Sequence, residues 1–148
     1  MKITFCGHKD VSDKATVEQW LYSVCSELID QGATEFYLGG YGNFDYLCAS
    51  TLRELKKQHP NIKLILVLPY LNSSMMTAGY DETVYPPLES VPKRFAISRR
   101  NEWMVRESDI VVAYVTHGWG GAAKTLEYAR RKKKQIFLCG GSDKESAI

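Results

Sequence analysis

Two patterns of apolar residues alternate along this chain. The first is a set of short runs rich in β-branched and aromatic residues: 2–6 (KITFC), 35–39 (EFYLG), 62–68 (IKLILVL), 109–115 (DIVVAYV) and 135–139 (QIFLC), each bounded by Gly, Pro or Asp. Their lengths and compositions predict five strands. Several are apolar almost throughout, as strands of a parallel sheet are when helices cover both faces. The second pattern has helical spacing. Val17, Trp20, Leu21, Val24 and Leu28 form one stripe over 13–31, which stops at Gly32. Over 43–58, Phe44, Leu47, Cys48, Thr51, Leu52 and Leu55 share a face, with Asn43 placed to cap the start and Pro60 beyond the end. Segments 97–107 and 120–133 supply a third and a fourth helix. The alternation predicts an α/β fold, a single three-layer α/β/α sandwich around a mainly parallel five-stranded sheet.

Segment 69–95 breaks the rhythm. It holds four of the five prolines and no sustained periodicity, yet it carries Tyr70, Tyr80, Tyr85 and Phe95. Aromatic residues are unusual in a flexible connector, so a lid or an oligomer contact is expected.

Composition narrows the class without identifying a partner. With 148 residues the chain suits one domain, and 45% hydrophobic against 24% charged residues excludes a disordered or fibrous protein. A net charge of +2 is too mild to indicate a nucleic acid. The longest apolar run, Leu64 to Pro69, is far too short for a bilayer span, and the first residues lack the apolar stretch of a secretion signal. A cytoplasmic location and no membrane contact are expected. Cys6, Cys25, Cys48 and Cys139 show no metal-ligand spacing and read as buried thiols, so no metal site is expected. The basic run 130–134 ends the last helix, where cations complement the helix dipole on a solvated face.

In a parallel sheet, ligands bind beyond the carboxyl ends of the strands, where helix N-termini present unpaired N–H groups. Three turns qualify here: CGHKD, with Gly7 and His8; GGYGNFD, with Gly39, Gly40, Gly42, Asn43 and Asp45; and THGWGGAAKT, with Gly120, Gly121, Lys124 and Thr125. Glycine allows the backbone to approach a phosphate closely, so the two glycine loops together point to a ligand with phosphate and sugar. The third turn nearly fits a Walker A loop, but Ala123 stands at the second glycine position, and no strand ends in an Asp suited to magnesium. A motor or kinase P-loop is not expected. The helix from 97 adds Arg99, Arg100, Asn101 and Arg106; Arg100 and Asn101 fall at the mouth of the cleft, Arg106 pairs with Glu102 at i,i+4, and Met104 belongs to the core. His8 is either a hydrogen-bonding loop residue or a proton donor, with His59 and His117 scattered elsewhere.

Four segments, FCGH at 5–8, GGYGNFD at 39–45, SRRNEWM with SD at 98–109 and GGAAKTLEYA at 120–129, together resemble the SLOG superfamily of Rossmann-like nucleotide-binding proteins. The closer resemblance is to its short stand-alone DUF1273-type branch. The superfamily also includes the "lonely guy" phosphoribohydrolases and the DNA-processing protein A family. The resemblance spans nearly the whole chain. It implies that nucleotide phosphate sits over Gly39, Gly40, Gly120, Gly121 and Thr125, and that the protein forms a homo-oligomer, a dimer or tetramer.

Departures from the phosphoribohydrolase pattern bear on catalysis. Asn101 replaces the lysine that follows the arginine matched by Arg100, and Tyr128 stands where the catalytic glutamate would be. Glu127 is one position away, about 100° around a helix. Loss of a positioned carboxylate removes general acid–base factors of about 10² to 10⁴. The favoured reading is a sensor or scavenger that binds an ADP-ribose-like ligand, a cyclic nucleotide or a nucleoside phosphate without efficient catalysis and without a cofactor. In it, backbone amides and Thr125 take phosphate, Arg100 and Lys124 balance charge, Asp45 or Asn43 contacts ribose, and the tyrosine-rich segment covers the base. The alternative is a nucleoside 5′-monophosphate N-glycosidase in which Arg100 holds phosphate and Glu127 or Asp45 serves the ribose. Nucleic acid is not an expected partner, because no basic stripe is present.

Overall fold

The described residues fold as a six-stranded, all-parallel sheet with two helices on each face. The computed structural model describes residues 1–71 and 77–140. In chain order its elements are β1 (Lys2–Gly7), α1 (Lys14–Asp30), β2 (Glu35–Leu38), α2 (Gly42–Lys56), β3 (Lys63–Val67), β4 (Glu82–Val84), a one-turn 3₁₀ helix (Lys93–Phe95), α3 (Ala96–Glu107), β5 (Ile110–Tyr114), α4 (Gly121–Arg131) and β6 (Gln135–Leu138). Strands lie in the order β4-β3-β2-β1-β5-β6. The five strands and four helices read from the sequence are all present, with ends moved by one or two residues.

The apolar runs are buried on both sides because successive strand residues point to opposite faces. Ile3, Phe5, Phe36, Leu38 and Leu64 pack with Val17, Leu21 and Leu28 of α1 and Phe44, Leu52 and Leu55 of α2. On the other face Val111, Ala113 and Ile136 meet Val105 of α3 and Leu126 and Ala129 of α4. Met104 is buried beside Tyr37, Ile65 and Val67, as its helical spacing predicts. Of the four cysteines, Cys6, Cys25 and Cys48 are buried and Cys139 is partly exposed.

The sixth strand corrects the five-stranded expectation. Glu-Thr-Val is too short and too polar to read as a strand, and it lies in the proline-rich segment. It is held at the edge by pairing Ile65↔Glu82 through Val67↔Val84. Side chains of the preceding turn reinforce it: Leu64 N–H donates to Asp81 Oδ2 (2.8 Å), Lys63 pairs with Glu82 (2.8 Å) and Lys56 with Asp81 (3.1 Å). Part of segment 69–95 is therefore sheet. Residues 72–76 lie outside the described residues.

Strand order decides what meets at the carboxyl edge. Central β1 lies between β2 and β5, so the turns after these three strands are neighbours. β1 also approaches α2 very closely. A Cβ at Gly7 would sit 2.1 Å from Phe44 Cδ2, and Phe44 is fully buried. Overpacking a rigid ring costs about 1–3 kcal/mol. Gly7→Ala is expected to lose at least that much stability in urea unfolding monitored by circular dichroism; an unchanged midpoint would show that Phe44 can move aside.

Candidate functional site

A cavity of about 620 Å³ opens at this carboxyl edge. Its floor is the end of β1 and its walls come from α3 and from the turn between β5 and α4. Residues that face it include Gly7, His8, Lys9, Asp10, Ser12, Tyr41, Asp45, Arg100, Asn101, Thr116, His117, Trp119, Gly120, Gly121 and Thr125. The turns after β1 and β5 and the mouth of α3 are thus brought together as the sequence suggests. Gly39, Gly40, Gly42 and Asn43 do not line the cleft, and neither do Lys124 and Glu127.

The first glycine loop is filled by the protein itself. Asp45, in the first turns of α2, turns its carboxylate back so that Oδ2 accepts the Tyr41 N–H (3.2 Å). The amides of Gly39 and Gly40 also support the ionised carboxylate. Asn43 N–H donates to the Lys9 carbonyl (2.7 Å), and Gly42 adopts φ +90 where a Cβ would lie 2.9 Å from Lys9 Cα. Asn43 therefore does not cap α2: Tyr41 is the N-cap and provides no side-chain bond. A concavity of successive amides that could take an external anion already holds an internal one.

Arg100 completes this plug from the opposite side. The residue is only 4% exposed. Its Nη1 donates to the Gly39 carbonyl (3.1 Å) and the Val67 carbonyl (2.8 Å), and its Nε donates to Asn101 Oδ1 (2.9 Å). It ties the ends of β2 and β3 together, so most of its donors are committed before any ligand arrives. Burial pulls Arg100 below its ordinary value, while Asp45 supports its charge. Burial pushes the Asp45 carboxyl up to about 6, with the Tyr41 amide and Arg100 opposing that rise.

The second glycine turn is built differently. Gly120 is the N-cap of α4 with φ +92 and ψ 177, a conformation essentially confined to glycine, and no side chain caps the helix. No neighbour lies within 4 Å of the space a Gly121 Cβ would take. The first-turn amides of α4, which have no intrahelical partner, open on the cleft beside Gly120 and Gly121. Thr125 is buried and its hydroxyl donates to the Gly121 carbonyl (2.9 Å), which leaves the oxygen lone pairs free to accept.

Lys124 and Glu127 point to another face of α4, where they line a separate cavity of about 220 Å³ with Leu126 and Arg130. Glu127 forms an ion pair with Arg130 (3.7 Å). The departure of Glu127 by one position thus places its carboxylate away from the cleft. Lys9 supplies the cleft's exposed cation instead. The expected Arg106–Glu102 pair is replaced: Arg106 donates to Tyr128 Oη (3.1 Å), and Glu102 lies 4.0 Å from Arg99. Among the described residues 69–71 and 77–95, none lines the main cleft; Tyr70 and Tyr85 border a distinct cavity of about 300 Å³.

Histidines that are scattered in sequence meet here. His8 Nε2 accepts the Thr116 N–H (2.8 Å), which puts its ring proton on Nδ1. Burial and then His117 hold His8 below its ordinary value. The rings of His8 and His117 stack at 3.8 Å. Sequence reasoning missed His117, Trp119, Thr116, Lys9, Asp10 and Ser12; their only signal was position in turns after β1 and β5. Cys6 also borders the cleft, but burial pushes its thiol up to about 12, so it is protonated and no nucleophile. No group of three His, Cys, Asp or Glu side chains suited to a metal occurs among the described residues.

No protein-family model matches the chain. It is 25% identical over 121 residues to UPF0398 protein BH1768 of Halalkalibacterium halodurans, covering 73% of this chain and 64% of that protein. The chain thus spans less than two thirds of that relative's length. Among solved structures it resembles DNA processing protein A from Helicobacter pylori, described with a single-stranded DNA binding mode, with a TM-score of 0.66 at 16% identity over 99% of this chain and 69% of that one. It also resembles the molybdenum cofactor carrier protein from Chlamydomonas reinhardtii, with a TM-score of 0.59 at 15% identity over 93% of this chain and 75% of that one. The DUF1273-type resemblance read from the motifs has its counterpart in the UPF0398 relative, and the fold is Rossmann-like, as in those solved structures. No helix among the described residues is long and apolar enough to cross a membrane.

Arg100→Lys keeps the charge but cannot bridge two carbonyls in the same plane. It is expected to lose about 2–4 kcal/mol in denaturant unfolding, because buried acceptors lose their donor. A loss below about 0.5 kcal/mol, the range of an ordinary surface change, would refute the clamp. Asp45 titrates with the opposite sign to an ordinary paired carboxylate. Its native value, near 6, lies above the unfolded 3.8, so folding takes up a proton and this group's contribution falls as pH rises through that window. The stability of the wild type relative to Asp45→Asn should fall by at most about 3 kcal/mol between pH 4 and pH 7. A difference that stays flat across that range in thermal melts would sink the assignment.

Proposed function

We propose that the cleft binds the phosphate of a nucleotide-derived small molecule, an ADP-ribose-like ligand, a cyclic nucleotide or a nucleoside phosphate, and holds it as a sensor or scavenger without efficient hydrolysis. The observation that carries this is the uncapped N-terminus of α4 opening on the cavity beside Gly120 and Gly121, with Thr125 in the next turn. Such a terminus combines unpaired amides with the positive end of the helix dipole. Lys9 balances the phosphate charge, and Asp10 and Ser12 face the same space as acceptors for ribose hydroxyls. The likeness to a molybdenum cofactor carrier protein supports a ligand-holding reading. A homo-oligomer, dimer or tetramer, is part of this proposal through the family resemblance alone.

The reading of weak catalysis is supported by the position of Glu127. Glu127 is paired with Arg130 outside the cleft. A second reading, N-glycosidase activity on nucleoside monophosphates, is favoured by one observation: Asp45 borders the cleft with its carboxyl raised to about 6, within the range useful for proton transfer. Its engagement by Tyr41 and Arg100 argues against ready proton exchange.

AMP is expected to raise the melting temperature with no adenine released on chromatography. Gly121→Asp should abolish that rise without lowering the melting temperature of the free protein, since its carboxylate occupies the anion position and complements the dipole. Lys9→Ala should weaken AMP binding by about fivefold, the ~1 kcal/mol of a solvated ion contact, whereas Lys124→Ala leaves it unchanged. AMP binding that persists in Gly121→Asp refutes the phosphate site; adenine release lost in Asp45→Asn establishes the glycosidase instead. A single-stranded oligonucleotide in parallel tests whether the ligand is polymeric.

A further inference from the structure

Three rings are stacked on one wall of the cleft. His117 lies between His8 and Trp119, with ring centroids 3.8 Å apart on each side and interplanar angles of 12° and 20°. Tyr114 meets His8 edge-on at 5.9 Å. The inner end is anchored by the Thr116 amide bond to His8. The outer end is Trp119, which is 72% exposed although one of its faces is covered by His117. Solvent-facing tryptophan is an unfavourable surface residue, and a rigid support beneath it fixes the direction of its open face.

Its place in the chain gives that face a chemical context. Trp119 directly precedes Gly120 and Gly121, so its Cα lies within about 8 Å of the amides at the α4 N-terminus. A base and its 5′-phosphate are separated by one ribose, a span of similar size. We infer that the open face of Trp119 is the platform on which the nucleobase of the bound ligand stacks, so that the ligand is a nucleotide with its base attached and not a bare sugar phosphate. This rests on the reading of the α4 N-terminus as the phosphate site. Every base offers a π-face, so the platform favours an attached base without selecting among bases. Tyr70 and Tyr85, expected to cover the base, border a different cavity, and Tyr80 packs against the core with Arg53 over its ring.

Titration calorimetry with AMP and with ribose 5-phosphate separates the two contributions. AMP should bind the wild type at least about tenfold more tightly than ribose 5-phosphate. Trp119→Ala should lose about that tenfold for AMP while its ribose 5-phosphate affinity stays within about twofold, and Trp119→Tyr should regain most of the loss. AMP should also quench a part of the intrinsic fluorescence that is missing in Trp119→Phe; Trp20 and Trp103 remain as internal references. Equal affinities for the two probes, or a folded Trp119→Ala that binds AMP as the wild type does, overturn the platform and leave the phosphate site standing. Absence of binding by both probes overturns the phosphate site, and the platform with it.

Discussion

Arg100 and Asp45 form a closed arrangement on which the cleft depends. The guanidinium reaches the carbonyls that end β2 and β3, and the carboxylate takes the amides of the glycine loop between β2 and α2. Each group satisfies backbone atoms that would otherwise be stranded at the edge of a buried parallel sheet, where an unpaired polar group costs about 1–3 kcal/mol. The same bonds close the first glycine loop to an outside anion. Of the two glycine loops at this edge, one is thereby closed.

The geometry of the remaining site is set by this closure. With the first glycine loop engaged internally, the free amides belong to α4, and the side chains around them come from the turn after β1 and the turn after β5. His8 links those two turns through the Thr116 amide, which sets the height at which His117 and Trp119 stack above the cavity. Helix-start amides without intrahelical partners, an exposed cation and an aromatic face share one cavity, and the proposed nucleotide site rests on that combination.

Much of the fold was legible because its strands are buried on both faces and its helices on one. Those two burial states impose the continuous apolar runs and the 3.6-residue stripes that the chain displays. β4 was not legible, since three residues with two polar side chains carry no periodic signal and are placed by backbone pairing to β3 and by Asp81. Within the site, Gly7, His8, Asp45, Arg100, Asn101, Gly120, Gly121 and Thr125 stood out by their positions just beyond the strands or at the start of a helix, and all of them border the cavity. Gly39, Gly40, Gly42, Asn43, Lys124 and Glu127 stood out on the same grounds and do not border it.

That division has one physical origin. Local sequence determines which residues are glycine, which are apolar, and where a helix begins, because these depend on backbone freedom and on burial of neighbours a few positions away. It thereby determined the α/β order, the parallel sheet and the turns that carry chemistry. Whether a donor is free depends on what lies across from it in space. Arg100 is 61 residues from Gly39 and 33 from Val67, and His8 is 108 from Thr116. Only the packed strand order brings such groups within hydrogen-bonding distance of each other, and only that packing decided which glycine loop was closed by an internal carboxylate and which was left open beneath an exposed tryptophan.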